Sequence, residues 1–254
     1  MLSNKSLLGR VVLITGASSG LGARFAHIAA EAGAKIVIGA RRVDRLNALV
    51  ARIANAGGNA AATAMDVSDE KSVEAAFDFA ESAFGPVTSV VANAGINVEG
   101  RAVDIAVDDF DRLFGINVRG TFLTARIAAR RLQSTGRSAE GRIVLISSIT
   151  ARMQSSGTVA YSASKASVTH MGRVLAREWA RSGPNVNILS PGYMRSELAG
   201  DWFDTEEGNR HMSSWPRKRL LKEDALDATL LYLLSDGSSG ITGSEFVIDD
   251  GQSL

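Results

Sequence analysis

Val11-Val12-Leu13-Ile14-Thr15-Gly16-Ala17-Ser18-Ser19-Gly20-Leu21-Gly22 is the stretch on which the reading of this chain turns. Its first five residues are almost wholly aliphatic and β-branched, the pattern of a strand covered on both faces. Glycines follow at 16, 20 and 22, spaced G-x-x-x-G-x-G, and a helical pattern opens at Leu21. A tight turn between strand and helix needs glycine, and so does close backbone approach to a pyrophosphate. The helix that follows offers unpaired N–H groups and a positive dipole end to such an anion, and Ser18 and Ser19 can add hydroxyl donors. A glycine triplet alone is a moderate signal; its place after the first strand and before the first helix strengthens it.

Outward from this turn, short β-branched runs alternate with longer amphipathic ones. Strands are predicted at 11–15, 35–39, 60–65, 89–92, 142–147, 185–190 and 245–248, and helices at 21–32, 43–56, 70–84, 107–133, 159–181 and 223–234. The alternation predicts a single-domain α/β fold, a doubly wound parallel sheet with helices on both faces and right-handed crossovers. Residues 196–219 break the pattern. They lack clean periodicity and carry Trp202, Phe203 and Trp215 among charges, which marks them as a candidate lid over a substrate site.

The chain has 254 residues, 45% hydrophobic and 22% charged, enough for one large core. A net charge of +1 gives no footprint for nucleic acid or an anionic membrane. Without cysteine there are no disulfides and no thiolate chemistry, and His27, His170 and His211 are too scattered to suggest a metal site. Residues 1–10 are polar and short of an apolar leader, and no run nears the roughly 18 apolar residues of a membrane span. A cytoplasmic protein is the expectation.

The second strand ends Ile38-Gly39-Ala40-Arg41-Arg42. In a dinucleotide fold this end meets the adenosine ribose, where an acidic residue binds the 2′-hydroxyl. Here the acid is missing and two arginines follow. A guanidinium fork suits a phosphate, so the pattern favours NADP(H) over NAD(H). NAD(H) use would require Arg41 and Arg42 to point away.

Further on stands Tyr161-Ser162-Ala163-Ser164-Lys165. Helix positions four apart share a face, so the phenol and the ammonium lie one turn apart. A nearby cation favours phenolate and is expected to lower the Tyr161 pKa from roughly 10, making it a proton donor or acceptor near neutrality.

With these motifs in order, the chain resembles the short-chain dehydrogenase/reductase superfamily in its single-domain branch, from Leu8 to Gly251. The motifs are the glycine turn, Asp66-Val67, Asn93-Ala94-Gly95, Asn117, Ser148, Tyr161-x-x-x-Lys165 and Pro191-Gly192. Ala92 departs from the family, where many members carry a second Asn. The resemblance implies that Asp66 accepts from the adenine amino group with Val67 beside the ring, and that Asn93, Ala94 and Gly95 line the adenosine ribose. It implies that Pro191, Gly192, Met194 and Ser196 hold the nicotinamide end, Ser196 replacing the usual Thr. It also implies a catalytic set: Tyr161 as proton donor, Ser148 holding the substrate oxygen, Lys165 tuning Tyr161 and binding the nicotinamide ribose. Asn117 would bend its helix and hold a water linking Lys165 to solvent. Ser147 is the rival to Ser148.

The expected reaction is hydride transfer between NADP(H) and a small ketone or secondary alcohol. A non-catalytic dinucleotide sensor is the rival class, and the Ser148/Tyr161/Lys165 set argues against it. Pocket walls are expected at 96–98, 149–155, Tyr193 and 196–219; Met153, Met194, Trp202 and Phe203 suggest an apolar, adaptable pocket, with Arg152 and Arg195 as possible carboxylate partners. Phe110, Leu113, Phe122, Val168, Val174 and Leu175 put apolar surface on more than one helix face. With the resemblance, they point to a homo-oligomer, expected to be a tetramer, with residues 248–254 at a second interface.

Overall fold

Alternate side chains of the first strand divide the interior in two. Val12 and Ile14 point into one apolar cluster, and Val11 and Leu13 into another on the opposite face, as a pleat of period two requires. The computed structural model describes residues 5–254; part of the expected polar start, residues 1–4, lies outside them.

Seven strands form one parallel sheet: β1 (Val11–Thr15), β2 (Lys35–Ala40), β3 (Asn59–Ala64), β4 (Ser89–Ala92), β5 (Arg142–Ile146), β6 (Asn185–Pro191) and β7 (Glu245–Ile248). Their order is β3-β2-β1-β4-β5-β6-β7, with Leu13 facing Val37 on one side and Val90 on the other. The chain winds outward from β1 to β3, then crosses back to β4 and winds the other way. The reversal between β1 and β4 opens a crevice at their carboxyl ends, where ligands bind in sheets of this kind.

The first cluster is closed by α1 (Gly20–Glu31), α2 (Val43–Asn55) and α8 (Asp227–Leu234), through Phe25, Leu46, Leu49, Ile53, Leu230 and Leu234. The second is closed by α3 (Glu70–Phe84), α5 (Thr121–Ser134) and α6 (Val159–Trp179), through Phe77, Leu123, Ile127, Val168 and Leu175.

The helix expected over 107–133 is broken in register. It runs as α4 (Val107–Phe114), a π-helical turn (Gly115–Gly120) and α5. Asn117 lies within the π turn, and its carbonyl accepts from Oγ1 of Thr121, the first residue of α5, at 2.7 Å. A π turn admits one extra residue and often marks a functional position.

The segment at 196–219 is more ordered than its sequence suggests. It holds a 3-10 turn (Trp202–Asp204) and α7 (Glu206–Ser213), whose N-cap Thr205 accepts from the Gly208 N–H at 3.1 Å. Eight residues are too few for helical periodicity to show. Tyr193 and Trp215 stack with centroids 5.3 Å apart, and Phe203 packs edge-on to both. The final expected helix starts late, at Asp227, because residues 223–226 form a turn.

Of the six apolar residues read as spread over more than one helix face, Leu113, Val168 and Leu175 are buried. Phe110, Phe122 and Val174 remain exposed. Among the described residues, no helix is long and apolar enough to cross a membrane.

Candidate active site

A cleft of about 1250 Å³ runs across the carboxyl ends of β1 and β4, from Arg41 and Arg42 at one mouth to Tyr193 and His211 at the other. It exceeds the roughly 300–1,000 Å³ of pockets for drug-sized ligands, so it has room for a dinucleotide and a small second molecule.

Its floor is the glycine turn. Gly16 has φ +67, and a Cβ there would lie 2.7 Å from the Ala94 Cα, so only glycine allows β1 and β4 to close so tightly. Thr15 Oγ1 accepts from the N–H groups of Asn93 and Ala94, each at 3.0 Å, and Asn93 Nδ2 donates back to the Thr15 carbonyl at 2.9 Å. Asn93 and Ala94 thus lock the turn as well as line it.

The N-terminus of α1 faces the cleft with no side-chain cap and no acid in its first turn. Ser19, at the N-cap position, turns its hydroxyl to Arg42 instead, accepting from Nη2 at 2.8 Å. A bare helix N-terminus beside an arginine fits a phosphate-bearing cofactor. Gly20, with φ +53, presents backbone to the same space, and a Cβ there would meet nothing within 4 Å. Leu21 and Gly22 complete this wall.

Beyond the turn, Arg42 Nε donates to Ser18 Oγ at 3.0 Å and Nη1 to Glu197 Oε2 at 3.0 Å. Arg45 takes the other oxygen of Glu197. Neither Arg45 nor Glu197 stood out in the sequence: one is a routine helix charge, the other is distant in the chain. Asp66 accepts the N–H and O–H of Ser68 at 2.9 and 2.7 Å, and those bonds, with the Arg41 charge, hold its carboxyl below the usual range. Val67 is buried beside it.

At the inner end stand Ser148, Tyr161 and Lys165. Ser148 follows β5, and its Oγ accepts from both the N–H and the hydroxyl of Thr150, at 3.2 and 3.0 Å. With its acceptor sites taken, its own hydrogen is left to donate elsewhere, and Tyr161 lines the same cleft. Ser147 points away, donating to the Lys165 carbonyl at 2.9 Å and bonding Thr169 at 2.7 Å. The two serines thus differ in their partners: the Ser148 hydroxyl is engaged by Thr150, whereas the Ser147 hydroxyl anchors the end of β5 to α6.

Lys165 is buried, and its Nζ donates to the Ile146 carbonyl at 3.0 Å. It lies 5.6 Å from the Tyr161 ring centroid. Burial lowers the Lys165 pKa to about 8. The expected lowering of the Tyr161 pKa is not found. Burial pushes that phenol up to about 12, and the Ser148 hydrogen bond opposes only part of the rise. Lys165 points past the ring to a carbonyl, so it does not offset the cost of burying a phenolate.

Asn117 is fully buried at the π turn. Its Oδ1 accepts from the Ile96 N–H at 2.9 Å, while Nδ2 donates to the Ile96 carbonyl at 3.0 Å and to Ser164 Oγ at 3.1 Å. It pins the loop after β4 to the helix that carries Tyr161 and Lys165. Gly95 lies alongside, 3.5 Å from Lys165 Nζ by the position a Cβ would take.

The far wall is set by the chain after β6. Pro191 ends the strand, and Gly192 donates to Ile248 at 2.9 Å. Gln252 brackets Tyr193, accepting its N–H at 2.6 Å and donating to its carbonyl at 3.1 Å. Met194 bridges to Leu221, and Ser196 Oγ accepts the Ala199 N–H at 3.2 Å.

The substrate end is more polar than expected. Asn97, Glu99, Gln154, Ser155 and His211 line it among the aromatics, while Met153 does not. Asn97 Oδ1 is buried without a partner among the described residues. Arg152 pairs with Glu245, and Arg195 with Asp204.

A parallel sheet with this switch-point cleft, glycine turn and Ser/Tyr/Lys cluster defines a dinucleotide-binding oxidoreductase. The family described as enoyl-(acyl carrier protein) reductase matches residues 16–253. The D-threitol dehydrogenase of Mycolicibacterium smegmatis is 34% identical over 97% of this chain and 94% of its own length. The crystal structure of a short-chain type dehydrogenase/reductase from Mycobacterium marinum superposes with a TM-score of 0.94 at 34% identity, covering 100% of both chains. A gluconate 5-dehydrogenase from Burkholderia cenocepacia, solved with NADP and tartrate, superposes with a TM-score of 0.92 at 30% identity, covering 98% of each chain. The chain belongs to the short-chain dehydrogenase/reductase family.

Proposed function

We propose that this chain transfers a hydride between NADP(H) and a small ketone or its secondary alcohol. The observation that carries the reading is the meeting of Ser148, Tyr161 and Lys165 in a cleft whose other mouth is lined by arginines. When bound, the nicotinamide supplies or accepts the hydride.

The residues of the chain do the rest. In the reductive direction Tyr161, a neutral phenol at working pH, donates its proton to the carbonyl oxygen as negative charge grows there. Ser148, its hydrogen aimed by Thr150, donates to the same oxygen and fixes its direction. Lys165, charged below about pH 8, supplies positive charge behind Tyr161 and a donor for ribose hydroxyls. Asn117 is a positioning residue that keeps the helix and the loop in register. Gly16, Ser18, Ser19, Gly20, Leu21 and Gly22 would hold the pyrophosphate, and Arg41 and Arg42 the 2′-phosphate. Asp66 and Val67 would hold the adenine, and Asn93, Ala94 and Gly95 the adenosine ribose. Pro191, Gly192, Met194 and Ser196 would hold the nicotinamide.

The polar wall of Asn97, Glu99, Ser155 and His211 favours a substrate bearing further hydroxyl groups. Each polar group there needs a partner when water leaves. Relatives named for threitol and gluconate support that reading. Residues 196–219 form a lid over this end, and exposed Phe110, Phe122 and Val174 support self-association, with a tetramer as the proposed state.

The test is consumption of NADPH by the purified protein with hydroxyketones and with plain alkyl ketones of equal length. Faster turnover of the hydroxylated set, with stoichiometric alcohol formed, supports the reading. Tight NADPH binding with no carbonyl turned over contradicts it.

A further inference from the structure

Glu197 stands in the arginine clamp. It lies one residue past Ser196, on the chain leaving β6, yet its carboxylate is held from another segment. Arg42 Nη1 donates to Oε2 at 3.0 Å and Arg45 Nη1 donates to Oε1. Arg42 is held in turn by Ser18 and Ser19 at 3.0 and 2.8 Å. These are the donors that a terminal phosphate on the adenosine ribose would take. Together the arginines and Ser19 draw the Glu197 pKa down to about 2, so it is an anion throughout the working pH range.

We propose that Glu197 sets cofactor choice, as an internal anion that a 2′-phosphate must displace and a 2′-hydroxyl need not. The inference rests on the reading that the adenosine ribose lies at the end of β2. The end of β2 lacks the acid that would accept a 2′-hydroxyl, and Glu197 brings one from across the cleft. With NAD(H), the carboxylate stays on its arginines and accepts the hydroxyl. With NADP(H), two anions compete for the same guanidinium groups, and the carboxylate has to move aside. The net charge seen by the phosphate is therefore lower than Arg41, Arg42 and Arg45 alone would give. Removing the charge of Glu197 frees both forks for the phosphate.

Quenching of protein fluorescence by NADPH and by NADH tests this in wild type and Glu197→Gln. Adenosine 2′,5′-bisphosphate and 5′-AMP are added as probes that reach only the clamp end. The expected result is NADPH and the bisphosphate binding about fivefold to tenfold tighter in the variant, with NADH and 5′-AMP unchanged or weaker. Glu197→Asp, which keeps the charge, stays near wild type in the ratio of the two affinities. A ratio unchanged in Glu197→Gln, or moved toward NADH, overturns the proposal. The wild-type preference answers a separate question. Wild type favouring NADH defeats the NADP(H) reading while leaving the shift on Glu197→Gln to decide the role of Glu197.

Discussion

Thr150 Oγ1 donates to Ser148 Oγ at 3.0 Å, and the Thr150 N–H donates to the same oxygen at 3.2 Å. A hydroxyl has one hydrogen and two acceptor sites. Thr150 fills both acceptor sites, so the Ser148 hydrogen is directed to the cleft. Thr150→Val removes one of those donors at nearly constant shape. We expect kcat to fall about tenfold with little change in KM, and Thr150→Ser to restore most of it. Equal losses in both variants would mean that the effect is packing rather than hydroxyl direction.

Lys165 carries an electrostatic cost. Its folded pKa is about 8, below its ordinary 10.5. Between those values the unfolded chain binds the extra proton, so stability rises with pH across that window and is lowest below pH 8. Lys165→Met should remove this slope. It should also stabilise the protein near pH 7 by on the order of 1 kcal/mol, after the loss of the donor to Ile146 offsets part of the gain. Denaturant titration at several pH values checks both, and turnover should fall by about 10³. A variant less stable than wild type at pH 7 would contradict this.

The same two pKa values predict the pH profile of reduction. Tyr161, at about 12, stays protonated across the accessible range, while Lys165 loses its charge above about 8. The rate constant kcat/KM for ketone reduction should be level from about pH 6 to 8 and then fall about tenfold per unit. A rise through this region would instead indicate a group that must be deprotonated.

Asn117 makes three side-chain hydrogen bonds in a fully buried position. Asn117→Ala leaves the Ile96 N–H and carbonyl without these partners. The expected loss of stability is about 2–4 kcal/mol, measured by urea unfolding. Asn117→Asp keeps the acceptor for the Ile96 N–H but not the donor, and should fall between the two.

Much of this architecture was legible in the chain. The apolar runs at 11–15 and 142–147 were read as strands buried on both faces, and the structure has buried strands at Val11–Thr15 and Arg142–Ile146. The helix over 107–133 was legible as helical, but its π turn depends on hydrogen bonds that periodicity does not encode. Tyr161 and Lys165 were found by spacing, yet their pKa directions were not. Spacing gives proximity, whereas burial and the Ile146 carbonyl decide which charge is tolerated. Thr150, Arg45 and Glu197 were missed for different reasons. Thr150 acts through its neighbour two residues back, and the ion pair of Glu197 joins residues 152 apart in the chain, a pairing that only the fold creates.

Tyr161 is the proposed proton donor in a hydride transfer from NADPH. The most direct test of that role pairs two measurements on Tyr161→Phe: NADPH affinity by fluorescence, and single-turnover reduction of a hydroxyketone. Unchanged affinity is expected, with reduction slowed by about 10² to 10⁴. Reduction at the wild-type rate with affinity intact would contradict that role.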